Sequence, residues 1–556
     1  MAARKRSRSD AGPSAGTSGV WAHASLVVGL VSIVVYGIKN SSSDGVVQNM
    51  MARIQECGSE LIKPAPAQAT TKQGTRLQRL TVGLNTSLHA LNASSATNAQ
   101  LERWSTVIYE SMSASSRDFH GVDHIFEVSG GGGSEEETEQ KDSGVEVDAT
   151  VRAQRQAVQT ISAYFHDTIY YTVDGGLSDE QARLLEGVLM EDHADGSVYL
   201  SSNAYKSENP ADVPMAMLLD IFGFRPDQKL NPFGGLNEFL SAALAVRCLQ
   251  DVLPLEQLFR IAACIEATIP FRKPAAPMVL FNRLMAARNN NRYRLGALTM
   301  SDLVVAVQQA QLLANRDVSN FAGDVNAFLS NTWTLMPESN QQIRQNTYRI
   351  SSFAHSLVKM AGFFENLDPT VIYHSFEGVP SDAKMKSLVE RSRANLAVAK
   401  TYMSAKLLSI SVLAALAEKT GGDSVLSMWV GDPRKPSIVT PKVEDDIEPI
   451  PDPSVDVKLD ETVFRILRDG RNRASSFDIR NSPLAAFLYG LIGDEGLLES
   501  VKYAVHPMTS EDAEQLLQSL PRKAVSTIAL ACSKVVAPTR RDALEQIAME
   551  YSKAAL

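Results

Sequence analysis

Apolar residues along this 556-residue chain recur mostly three and four positions apart, the period of an amphipathic helix. Leu77, Leu80, Leu84, Leu88 and Leu91 make one such stripe inside 45–116, a region that reads as helices with polar joints. The stretch 236–267 reads as two helices broken at Pro254. Ser178 and Gln181 form a capping box ahead of Leu184, Leu185 and Val188. The segment 383–419 predicts one long helix, with Lys419 in its last turn and Gly421 and Gly422 as its stop. The apolar run at 407–417 is too short to cross a bilayer and reads as core. Near the C-terminus, Thr539 with Asp542 predicts the cap of a last helix whose face carries Leu544, Ile547 and Tyr551. Strand signals are few, and short pieces near 168–173 and 197–200 predict a small ribbon. The expected fold class is mainly α: a multi-helical, two-lobed body with a disordered N-terminal arm and flexible linkers.

Two segments interrupt the helical pattern. Residues 129–148 hold four consecutive glycines and then a run of acids, which cannot bury a core. Residues 431–461 hold six prolines with Glu444, Asp445, Asp446, Glu448 and Asp452 interleaved; proline denies helix and the acids favour an extended chain. The expected organisation is therefore 1–44, a basic arm with a hydrophobic segment; 45–128, an N-terminal helical region; 129–149, a linker; 150–430, the main helical domain; 431–461, a second linker; and 462–556, a C-terminal helical domain.

The stretch 20–38 departs from both patterns. No Asp, Glu, Lys or Arg stands between Asp10 and Lys39. As a helix these residues would span about 29 Å, close to a bilayer core. Trp21 and Tyr36 sit near its ends, and the basic residues before it would leave the N-terminus in the cytoplasm. No small-residue cleavage site stands out, which favours an anchor over a removed signal peptide. Against this, His23, Ser25, Gly29, Ser32 and Gly37 dilute the run. The other reading is a strand or helix that docks on a neighbouring subunit.

Catalytic motifs are missing: no Walker A loop, no HExxH, no Gly-x-Ser-x-Gly elbow and no EF-hand loop. Neither an enzymatic activity nor a cofactor is expected. The four cysteines are scattered, which argues against a disulfide framework or a cysteine zinc site, and Cys248 and Cys264 read as buried free thiols. The best metal-ligand spacing is DFHGVDH, with Asp118, His120, Asp123 and His124. Gly121 weakens that helix and the glycine linker abuts it, so these read as surface polar residues and no metal is assigned. His166–Asp167 and Asp192–His193 read as isolated neighbours, because adjacent residues on a helix do not face each other.

Charge is more informative. The chain carries a net −9, yet 283–406 holds fourteen Lys/Arg against nine acids. Within it Arg283, Arg288, Arg292 and Arg294 surround Tyr293, and Arg344 and Arg349 flank Tyr348. Arginine beside tyrosine can pair phosphates and stack a base, a combination suited to single-stranded nucleic acid. Lys384, Lys386, Arg391 and Arg393 extend the set, and Arg465, Arg468, Arg471, Arg473 and Arg480 add to it further on. At the N-terminus, Arg4, Lys5, Arg6 and Arg8 read as a nuclear-targeting or phosphate-binding cluster, or as a solvated tail.

With its basic arm, basic middle and Pro-rich linker, the chain resembles the nucleoproteins and coat (capsid) proteins of RNA viruses. The resemblance lies in architecture, over 1–20, 283–406 and 431–461, without a shared motif. It implies a structural protein of the virion and of the host cytoplasm or nucleus. Such a protein self-assembles as a homo-oligomer and binds single-stranded RNA independently of sequence in a basic groove between two lobes. Residues 20–38 would then be an exchange arm. The alternative is a single-pass membrane protein, anchored by 20–38, whose helical body is an interaction module.

Overall fold

A computed structural model describes residues 67–93, 96–130, 148–192, 197–201, 212–344, 348–432, 441–505 and 507–553. The basic arm, the stretch 20–38 and most of the glycine-acid segment lie outside the described residues. Residues 76–556 form one unit; of the unit before it, 1–75, only the first turns of helix α1 are described.

The described residues form twenty α-helices and two short strands, the mainly α fold that the spacing predicts. Helix α1 (Ala67–Ala90) buries Leu80, Leu84 and Leu88. Helix α2 (Asn98–Met112) opens on a capping box between Thr97 and Gln100. Then come α3 (Val122–Gly130) and α4 (Ala149–Phe165), followed by the short α5 (Tyr171–Asp174) and α6 (Asp179–Leu184). The Ser178–Gln181 capping box forms at α6 as expected. The small ribbon pairs β1 (Leu189–Asp192) with β2 (Ser197–Leu200), antiparallel, Leu189 opposite Leu200. Residues 168–173 take no part in it. They leave α4 and wind into α5, with the carbonyls of Asp167 and Thr168 at their start held by buried Arg117. Helices α7 (Val213–Phe222), α8 (Leu236–Leu249), α9 (Leu255–Ala267), α10 (Ala276–Asn289) and α11 (Met300–Asp317) complete a first hydrophobic core. Pro254 stands just before α9, where its missing N–H costs nothing.

A second core starts at Phe321 and runs to Tyr551. It comprises α12 (Val325–Ser339), α13 (Ile350–Asn366), α14 (Asp382–Lys419), α15 (Ser427–Val430), α16 (Glu461–Asp469), α17 (Pro483–Ser500), α18 (Ser510–Gln518), α19 (Arg522–Val535) and α20 (Pro538–Ser552). Helix α14 is the expected long helix, 38 residues, stopped by Gly421 and Gly422 at positive φ. By length and composition it could cross a membrane, but 72 % of its most apolar window is buried inside the protein, so it packs as a core helix. Helix α20 starts differently from expectation. Ala537 precedes Pro538 at the first turn, no side chain caps it, and Thr539 lies within the helix.

Apart from Phe376, which packs in the first core, the buried side chains divide between Leu313 and Phe321 rather than at the Pro-rich segment. The start of its described part is packed: Val443 and Ile447 are buried in the second core around a single 3-10 turn, Val443–Asp446, whereas 448–461 lies at the surface. Proline excludes a helix there but not burial, since one turn suffices to place two apolar side chains on the same face. Residues 462–553 therefore share their core with 321–432.

Charges are buried with that core. Arg471 has no exposed surface; its guanidinium stacks 4.4 Å from the Trp333 ring and donates to the Tyr402 hydroxyl (2.9 Å) and the Ile479 carbonyl (2.7 Å). Trp333 Nε1 donates to Asp478 (2.8 Å), and Lys406 Nζ lies 3.0 Å from the same carboxylate. Close to these groups burial pushes the Glu444 carboxyl up to about 7, against an opposing pull from Lys406.

Between the ordinary value of 4.5 and about 7 the folded state holds a proton that the unfolded state has released. Stability therefore falls as pH rises through that window and is level above it. Glu444→Gln removes the fall. The variant is expected to match the parent below pH 4.5 and to exceed it by up to about 3 kcal/mol at pH 8, read from urea midpoints. Equal midpoints at pH 8 would refute the assignment. A second prediction concerns Gly493, which joins two helical pieces of α17 at φ +64° and where a Cβ would collide with the Lys458 carbonyl. Gly493→Ala is expected to cost more than about 1 kcal/mol by the same measurement.

Candidate functional site

A set of buried polar side chains lies where the two cores meet. Glu338, near the end of α12, has a fully buried side chain. Its Oε1 accepts the backbone N–H groups of Asp118 (2.9 Å), Phe119 (2.6 Å) and His120 (3.0 Å), and its Oε2 lies 2.5 Å from His120 Nδ1. Burial opposes ionisation of this carboxyl, but the His120 ring and the N–H donors outweigh it and hold it below the ordinary range. Those three amides precede α3, so a residue of the second core fixes the entry to a helix of the first. Arg344 braces the same junction: Nε donates to the Pro337 carbonyl (2.7 Å) and Nη1 to the Val173 carbonyl (3.2 Å). The Ser476 hydroxyl donates to Asp118 (2.7 Å).

Arg117 does the equivalent work on the other side. Its side chain is entirely buried. It pairs with Asp174 and donates to the carbonyls of Asp167 (2.5 Å) and Thr168 (3.2 Å). The chain leaving α4 is thereby bent so that His166 and Asp167 both point inward. The expectation that these neighbours diverge fails because Asp167 has already left the helix. His124, on the first turn of α3, and Asp317, the last residue of α11, meet them. His124 Nε2 lies 3.0 Å from Asp317 Oδ1 and 3.5 Å from Asp167 Oδ2. His166 Nε2 lies 3.1 Å from Asp167 Oδ2 and 3.4 Å from Asp317 Oδ1. The second nitrogen of His166, Nδ1, donates to the Ala163 carbonyl at 2.9 Å.

As they stand, the four side chains are two crossed His–Asp ion pairs. Burial would strip the proton from His124, but Asp167 and Asp317 raise its value to about 9. His166 moves the same way, and both carboxyls are held low against the opposing effect of burial, Asp317 at about 2. Burial, with the charges of Asp167 and Asp317, pushes the nearby Glu238 carboxyl up to about 8. Among the described residues this quartet is the group whose ligand atoms could share a metal ion. It takes one member, His124, from DFHGVDH. That histidine is buried rather than a surface residue, while Asp118, His120 and Asp123 pair with Ser476, Glu338 and Arg76. The partners His166, Asp167 and Asp317 carry no local sequence signal beyond two His–Asp and Arg–Asp neighbours.

The basic residues separate into two groups. Several are occupied within the fold. Arg283 pairs with buried Glu266 (3.2 Å), Arg288 Nε donates to the Leu298 carbonyl (2.5 Å), Arg344 sits at the junction, and Arg349 pairs with Asp423 (2.8 Å). The tyrosines between them are buried: Tyr293 donates to Asp220 (2.5 Å) and Tyr348 to the Phe477 carbonyl. Neither ring faces solvent, which corrects their assignment as base-stacking platforms. Arg471 is likewise interior. The second group is at the surface. Lys386, Arg391 and Arg393 are exposed and Lys384 half-buried, all on the first turns of α14. Arg294 is exposed, and with Arg292 it lines an open concavity that also includes Glu256 and Leu255.

Comparison with family models, with curated proteins and with solved structures finds no match.

The junction makes a testable demand. Glu338→Ala leaves three part-buried amides and His120 without their acceptor, and is expected to cost about 3–5 kcal/mol in denaturant unfolding. Glu338→Gln keeps one acceptor oxygen and is expected to cost less. The depressed carboxyl contributes stability above its ordinary value of 4.5 and loses it as pH falls through its lower folded value. The gap between parent and Glu338→Gln should therefore shrink as pH drops below 4.5; a gap that widens contradicts the ionised role.

Proposed function

We propose that this chain is a structural protein that self-assembles and packages single-stranded RNA, gripping the phosphate backbone with the surface cations of α14. One observation carries the reading: Lys386, Arg391 and Arg393 are exposed and Lys384 half-buried on the first turns of a long, anchored helix, Lys386 within 4.0 Å of Glu390, while Arg283, Arg344 and Lys406 are built into the fold. Lys384 and Arg391 lie seven residues apart, as do Lys386 and Arg393, so each pair repeats on one face two turns on. That spacing lays two short cationic tracks along the helix. Charge without an exposed aromatic partner suits contacts to phosphate rather than to bases, which position a strand without reading its sequence. In this reading the protein acts as a homo-oligomer in a virion and in the cytoplasm or nucleus of the host cell.

Purified full-length protein is expected to carry nucleic acid, seen as a 260/280 nm absorbance ratio that drops after nuclease. Replacing Lys384, Lys386, Arg391 and Arg393 together with Ala should flatten the plot of log Kobs against log salt for an oligouridylate by up to about 3, at roughly 0.7 per lost phosphate contact. An unchanged slope in a folded variant, or a parent protein that is monomeric and free of nucleic acid, would sink the reading.

A further inference from the structure

We infer that His124, His166, Asp167 and Asp317 form a binding site for one divalent transition ion of the zinc class. This stands independently of the proposed RNA packaging. The four contributing atoms, the two Nε2 nitrogens, Asp167 Oδ2 and Asp317 Oδ1, alternate around a common point, each nitrogen facing both oxygens. The nitrogen–oxygen separations are 3.0, 3.5, 3.1 and 3.4 Å. A tetrahedral zinc ion with bonds of 2.0–2.2 Å has ligand–ligand edges of about 3.3 to 3.6 Å. The four nitrogen–oxygen edges, of the six in a tetrahedron, therefore stand within about 0.3 Å of the required length. The four atoms lie within 4.8 Å of one another, so a point midway between the most distant pair is at most 2.4 Å, half of 4.8 Å, from each of those two. Closing onto a tetrahedral ion leaves these four edges nearly unchanged and draws the nitrogen–nitrogen and oxygen–oxygen pairs, which lie within 4.8 Å, in toward the same length.

The surroundings favour the same conclusion. His166 donates Nδ1–H to the Ala163 carbonyl, which fixes the ring and leaves Nε2 as the donor atom at the centre. Metal-binding histidines are oriented in this way by an outer hydrogen bond. Asp167 is held through its own backbone by buried Arg117. Binding the ion displaces the Nε2 protons of the two histidines to solvent; the two neutral imidazoles and two carboxylates that remain supply two negative charges, which balance one divalent ion. Nitrogen and oxygen donors without sulfur select zinc, cobalt or manganese over copper(I). Four protein ligands leave no open position, which makes the site structural. Its ligands come from α3, the turn that follows α4 and the end of α11. The His120 ring that meets Glu338 lies 5.6 Å from the His124 ring, so an ion here would stiffen the junction between the two cores.

The test uses the full-length protein. Chelator-treated protein is titrated with zinc by calorimetry, then with cobalt by visible absorption, and its thermal midpoint is recorded with and without zinc. The expected result is one ion per chain, the strong visible bands of tetrahedral cobalt, and a midpoint raised by zinc. Asp317→Asn and His166→Gln should abolish all three responses, whereas His355→Ala, at an exposed histidine, should keep them. Unfolding on chelation that zinc reverses also supports the site. A folded, chelated parent that takes up neither ion overturns the proposal. So does uptake undiminished in folded Asp317→Asn, because the ion would then sit elsewhere.

Discussion

Glu338 is a carboxylate with no exposed surface, standing where two separate hydrophobic cores meet. Such a charge persists in the interior only when its lone pairs are satisfied, and three consecutive backbone amides and an imidazole do this. The consequence is geometric. The amides belong to the loop that starts α3, so this side chain ties the entry of that helix to the second core, with Ser476 on Asp118 beside it. His124 rides on the first turn of the same helix. Arg117 imposes a matching constraint on the turn after α4. The buried His–Asp quartet is thus assembled by two interior charges that touch none of its ring or carboxylate atoms. The junction is polar because its task is registration: apolar side chains would bury area there without fixing which amide faces which oxygen.

Helical periodicity is the readable part of this chain, for a physical reason. A stripe at three- and four-residue spacing is a local property, and burial in either core rewards it in the same way. Hence the Leu80–Leu84–Leu88 stripe, the break at Pro254, the Ser178–Gln181 capping box and the span of α14 are all legible in the order of residues alone. The quartet is different. His124, His166 and Asp317 are joined by no periodicity, and only packing of α3, α4 and α11 brings them together. Adjacent side chains such as His166 and Asp167 diverge only while a helix continues, and α4 ends at Phe165. No local signal marks that end. The Pro-rich segment shows the opposite limit: composition excludes a helix but cannot tell a solvated linker from a turn that buries Val443 and Ile447.

The arginines show why charge counts mislead. Arg283, Arg344 and Arg471 look alike in sequence to Arg391 and Arg393. The first three are spent on Glu266, on the junction carbonyls and on the face of Trp333. Guanidinium suits such roles, since its planar fork serves several acceptors and its flat face stacks. A basic stretch that also builds a core therefore overstates the charge it can offer a ligand. Tyr293 and Tyr348 follow the same rule, with rings packed and hydroxyls committed to Asp220 and the Phe477 carbonyl.

What remains at the surface gains from how it is held. The C-terminal half of α14 is sunk in the second core, from Leu407 to Ala417 almost without interruption, while its first turns carry Lys386, Arg391 and Arg393 outward. One continuous helix joins the two halves, so the backbone beneath the cations is ordered by hydrophobic burial elsewhere along the same rod. A ligand that engages them need not spend binding energy on ordering that backbone, only on restricting the side chains. A flexible tail with equal charge would lack this advantage. For a polyanion bound through phosphates alone, each contact is weak, and an anchored row of cations differs from a solvated one chiefly in how little order each contact must create.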